Sequence, residues 1–123
     1  MVACAAGLAT LRFLKKKKLG DNAKRVGKSI MKRLEEIKDR YECVGDVRGL
    51  GLMIGVEIVK NKRSRAPDKK MQGAIICDCV RRGVLFLPAG KSSIRIAPPL
   101  IITESQAMKG IDTLEKAIKQ VSR

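Results

Sequence analysis

Between residues 23 and 40 the apolar positions Ala23, Val26, Ile30, Leu34 and Ile37 fall three and four apart, with charges between them. That is the spacing of one helix face. It returns near the end of the chain in Ala107, Ile111, Leu114, Ile118 and Val121, behind Thr103 and Gln106, a pair suited to a capping box. A third helix is predicted over residues 69–82, with Asp68 as its cap and Gly83 as its stop. Residues 2–18 also read as helix, but VACAAGLATLRFL is apolar nearly all round and rich in small side chains. Such a helix wants cover on every side. A domain of this size cannot easily supply it, so a partner surface from another domain or subunit is expected. Leu19, Gly20, Asp21 and Asn22 are expected to interrupt the chain, with Gly20 as stop and Asp21 or Asn22 as the next cap.

Elsewhere the period is two. Residues 43–48 read as a short strand, Gly49-Leu50-Gly51 as a turn and residues 52–59 as a longer strand. Within LMIGVEIV, Leu52, Ile54, Val56 and Ile58 share one face, and Met53, Gly55, Glu57 and Val59 the other. Residues 61–67 form a basic loop. Residues 84–87 and 93–97 are predicted as short strands around a Pro88-Ala89-Gly90 turn, and Pro98-Pro99 ends the second. Helix, helix, strand, strand, helix, strand, strand, helix predicts an α+β fold: a small, mostly antiparallel sheet with helices on one face.

Composition narrows the chemistry. With 123 residues, 45% of them hydrophobic, the chain is a single globular domain with a core of its own. No stretch approaches the ~20 apolar residues of a membrane span. The longest apolar run precedes its basic residues, the reverse of a secretory leader, so a cytoplasmic location is expected. There is no histidine, which removes histidine bases, catalytic triads and histidine metal ligands. Cys4, Cys43, Cys77 and Cys79 form no CxxC pair, so no metal site is expected, and the thiols read as reduced, small, packed side chains. Lysine and arginine number 27 against 12 acids, a net +15. This raises a second function class, a basic nucleic-acid-binding module. Only Phe13, Tyr41 and Phe86 are aromatic, too few for a base-stacking platform, so nonspecific binding at low salt is what the charge predicts.

The glycines at 49, 51 and 55 lead into a strand rather than a helix, so they read as a hairpin and not as a dinucleotide loop. Glu57 has no second carboxylate fixed beside it by spacing and reads as structural, either an ion-pair partner within the sheet or an edge residue facing solvent. Arg95, in SIRIAPPL, is the one candidate for chemistry: a stiffly held guanidinium fork suits a carboxylate. Spacing alone favours a plainer role, an outward charge opposite Ile94 and Ile96.

Three stretches resemble, in order, the C-terminal part of class III pyridoxal-phosphate aminotransferases, the acetylornithine, ornithine and 4-aminobutyrate group. They are VACAAGLATL, GDVRGLGLMIGVEIV and RGVLFLPAGKSSIRIAPPLIITESQ. The resemblance implies that residues 1–123 are the small C-terminal domain of a fold-type I transferase, with 1–18 as the helix leading from a larger domain that precedes it. It implies an enzyme that moves an amino group from an amino acid to a 2-oxo acid, with pyridoxal 5'-phosphate in the complete protein and assembly into oligomers. Arg95 then takes the substrate-carboxylate role, and Arg48 supports the hairpin. The cofactor lysine, the aspartate facing the pyridine nitrogen and the phosphate-binding residues belong upstream in that family. The chain alone is therefore expected to hold no cofactor and to be inactive, with no catalytic residue of its own.

Overall fold

The computed structural model describes residues 1–122. Its elements are α1 (Val2–Lys16), α2 (Leu19–Arg40), β1 (Val44–Leu50), β2 (Met53–Ile58), α3 (Lys69–Arg81), β3 (Leu87–Ala89), β4 (Ser93–Ile96) and α4 (Glu104–Val121). The sheet order is β1-β2-β4-β3 and every neighbouring pair is antiparallel. Val47, Ile54, Val56, Ile58, Ile94 and Ile96 point to one side, where they are buried with Val26, Ile30, Leu34 and Ile37 of α2 and Ile111, Leu114 and Ile118 of α4. Alternation puts Arg48, Leu50, Met53, Gly55, Glu57 and Arg95 on the opposite face, which no helix covers among the described residues. The α+β expectation is met by α2, α3 and α4.

The helix ends differ from the expected ones in an instructive way. The break between α1 and α2 falls at Lys18, which takes a left-handed φ of 49°, and α2 starts at Leu19. Gly20 does not stop α1, and neither Asp21 nor Asn22 caps α2. Asp21 instead lies in the first turn, where the helix dipole favours an acid. Asn22 reaches across to donate to the carbonyls of Leu100 (2.8 Å) and Ile102 (3.1 Å). At the other two helix starts the sequence reading holds. The Asp68 side chain accepts from the Met71 amide, and Thr103 with Gln106 forms the full capping box. α1 contributes no buried residue.

The hairpin turn is also tighter than expected. β1 runs through Gly49 to Leu50, which pairs with Met53, so the loop is Gly51-Leu52 with Gly51 at φ 57°. Two-residue turns of this kind favour glycine at the first central position. Val59 leaves the open face: it is buried against Gly45 and bridges to Pro67. Residues 84–86 are not strand, because the ladder with β4 begins at Leu87 opposite Arg95. Phe86 is buried in the core instead, and Pro88 sits within the edge strand, where a missing N–H is tolerated. Cys43 and Cys79 are buried as expected, and burial pushes the Cys79 thiol up to about 11. Cys4 and Cys77, however, are exposed.

Candidate functional site

Strand register builds the site. Gly55 of β2 pairs with Arg48 on one side and Arg95 on the other, and Arg95 pairs in turn with Leu87. One row of the open face therefore reads Arg48, Gly55, Arg95, Leu87. The two arginines sit two strands apart, with a residue that has no side chain between them. A Cβ at Gly55 would meet nothing closer than the Arg48 carbonyl oxygen at 3.9 Å. Neither backbone conformation nor packing within this domain requires glycine there.

The arginines differ in their electrostatics. Arg48 Nη1 donates to Asp46 Oδ2 at 2.9 Å and lies 3.5 Å from Glu57 Oε2. Lys38 approaches Asp46 from α2 at 3.8 Å. Arg48 is thus tied to two carboxylates of its own hairpin, and of the two structural roles open to Glu57 the ion pair is the one seen. Arg95 has no hydrogen bond and no ion pair among the described residues, although its backbone is fixed on both sides by β2 and β3. It stands exposed at a groove of about 640 Å³ that passes Leu87, Pro98 and Pro99 and reaches Gln106 and Lys109 of α4. Arg82, paired with Asp78, also lines the groove, and among the described residues no carboxylate does. A cationic, partly apolar cleft of this kind suits an organic anion.

Sequence reasoning saw Asn22 only as a candidate helix cap. Its two hydrogen bonds, together with the Arg25–Glu104 ion pair at 2.9 Å, hold the segment after Pro98-Pro99 against α2 and so shape the groove wall. Partners some eighty residues apart leave no local signal. The hairpin's charge network has a pH signature. The hydrogen bond from Arg48, more than any other influence, holds the Asp46 carboxyl below its usual 3.8. Its contribution to stability is present above that value and is lost as pH falls through the lower folded one. Asp46→Asn should therefore flatten the fall of the urea midpoint below about pH 4. An unchanged acid limb would show that the pair contributes nothing.

An amine transaminase from an uncultivated Pseudomonas species superimposes with a TM-score of 0.90 at 37% identity, over 97% of this chain and 27% of that one. The class III aminotransferase family model matches residues 1–118, and the chain belongs to that family. It is 46% identical over 120 residues to the alanine/serine racemase of Pyrococcus horikoshii, covering 96% of this chain and 25% of that protein. It is 37% identical to the mitochondrial alanine–glyoxylate aminotransferase 2 of Pongo abelii, over 97% and 24%. The chain spans about a quarter of the length of these relatives.

Proposed function

We propose that residues 1–123 act as the small C-terminal domain of a pyridoxal-phosphate-dependent aminotransferase of the 4-aminobutyrate and acetylornithine group, with 1–18 as the helix leading from a larger domain. Amino-group transfer from an amino acid to a 2-oxo acid is the proposed reaction, and the cytoplasm the proposed location. The observation that carries the reading is Arg95, an unpaired fork on a central strand at the mouth of a carboxylate-free groove. A guanidinium so held binds a substrate carboxylate at two points and fixes the amino acid's orientation. Arg48, already committed to Asp46 and Glu57, keeps the hairpin in shape.

This chain's own residues do not fit the cofactor. No lysine is buried among the described residues, and the groove's lining there holds Lys109 but no carboxylate to face a pyridine nitrogen. The cofactor would be held by residues outside this chain, so the chain alone should neither bind it at one lysine nor transaminate. Mixing the purified chain with pyridoxal phosphate, reducing with borohydride and mapping the labelled peptides tests this. Diffuse labelling over many surface lysines is expected, whereas one dominant lysine with an imine absorbance band would sink the reading. A second reading is racemisation, supported by the 46% identity to an alanine/serine racemase. Arg95 keeps its role there, since either reaction needs the carboxylate held.

A further inference from the structure

We propose that the end of the sheet formed by residues 60–70 and the turn at Lys91 binds double-stranded nucleic acid through its phosphates, independently of the aminotransferase reading. Seven cations lie there: Lys62, which approaches Glu42 at 4.0 Å, and Lys60, Arg63, Arg65, Lys69, Lys70 and Lys91. The last six are exposed, and none of them makes an ion pair among the described residues. Topology brings them together. The Ile58 amide donates to the Ser92 carbonyl, which places Lys91 beside the end of β2, and the Asp68 amide donates to the Ile58 carbonyl, which places the start of α3 there too. The loop is held in one shape by Lys60 N–H to Ala66 O (2.9 Å), Arg65 N–H to Asn61 O (3.1 Å) and Ser64 N–H to Asn61 Oδ1 (2.7 Å).

The charge in this patch is not neutralised from within. The one carboxylate of the segment, Asp68, is occupied as the cap of α3, accepting from the Met71 amide at 2.8 Å. Lys69 and Lys70 stand in the first turn of α3, where the helix dipole adds charge of the same sign, and that turn holds no acid. Some cations elsewhere are matched, as where Arg33 and Arg40 share Glu115 and Arg82 pairs with Asp78, but within this patch none of the six is. An external polyanion is what offsets the repulsion here. None of the three aromatic residues lies in the patch, so phosphate contact without base stacking points to a duplex rather than a single strand. The patch is also well away from α1. Ala23 and Gly27 near the start of α2 meet the Gly51 turn, while the loop lies at the other end of β2, about 17 Å along the strand.

The test compares two triple variants of equal net charge. One carries Arg63→Gln, Lys69→Gln and Lys70→Gln. The other carries Lys24→Gln, Lys28→Gln and Lys32→Gln, a stripe of exposed, unpaired lysines on α2. Binding of a fluorescent 30-base-pair DNA duplex is read by anisotropy across a salt series. The loop variant should lose at least about tenfold in affinity, with a log–log salt slope shallower by about 2 to 3. The stripe variant should lose less than about twofold, and two unrelated duplex sequences should bind alike. Equal losses in both variants would assign the attraction to net charge and overturn the proposal. So would no binding by the parent chain at 150 mM salt, or binding to phosphatidylserine vesicles without binding to the duplex. Should a variant misfold, acetylation of the parent chain with and without duplex decides instead: protection at Lys60, Lys69 and Lys70 but not at Lys24, Lys28 and Lys32 supports the site, and the reverse refutes it.

Discussion

Gly27→Ala is expected to destabilise the domain by about 3 kcal/mol or more, enough to unfold a marginal protein. Gly27 lies in the middle of α2, where glycine is otherwise a poor choice. A Cβ there would stand 2.1 Å from the Gly51 carbonyl oxygen, 2.5 Å from its carbon and 2.9 Å from its Cα. All three are backbone atoms, so no side chain swings aside, and α2 must lift off the β1–β2 turn. The matched control is Gly73→Ala in α3, where nothing lies within 4 Å of the added methyl. That change removes a helix-interior glycine and should stabilise by about 0.5–1 kcal/mol. Urea midpoints of the two variants should move in opposite directions. If Gly27→Ala matches its control, the helix and turn are not in contact as described.

The second large effect concerns Arg95 and is read on a complete enzyme, made by joining this chain to the remaining three quarters of a relative. Arg95→Lys keeps the charge but loses the planar fork. Loss of one charge-assisted hydrogen bond, ~1.5–3 kcal/mol, should reduce productive binding of amino acids by roughly ten- to a hundredfold. Simple amines without a carboxylate should lose little. Comparing kcat/KM for both substrate classes on the same variant cancels any general loss of folding. Arg48→Lys should show no such contrast, because its partners are Asp46 and Glu57. Equal losses on both classes would make Arg95 a structural charge, the plainer reading that its strand spacing favoured.

Much of this was legible in the sequence where one periodicity rules. The stripes of α2 and α4, the buried face of β2 and the caps Asp68 and Thr103 follow from spacing and local chemistry, and the structure has them all. What was not legible depends on distant partners. Lys18 bends the chain without any residue that advertises a left-handed turn. The apolar run at 84–87 looks like strand, yet only its last residue finds a partner, since β4 dictates the register. For the site, alternation put Arg95 on the face opposite Ile94 and Ile96, and the structure agrees. Its proposed role came from family resemblance rather than spacing. Asn22 and the open position at Gly55 emerge only once the strands and helices are assembled.

The central place of β4 has a consequence for how such a domain changes over time. Arg95 stands on a strand hydrogen-bonded along both edges, with its row of neighbours drawn from three other strands. Inserting or deleting one residue in β2 or β4 would exchange their faces, turning the core isoleucines outward and the arginine inward. Length changes are therefore confined to connections such as residues 59–68, and the open face is revised only by exchanging one side chain for another at a fixed address. A lineage built on this sheet can alter what its groove accepts, but it keeps the same grid of positions while doing so.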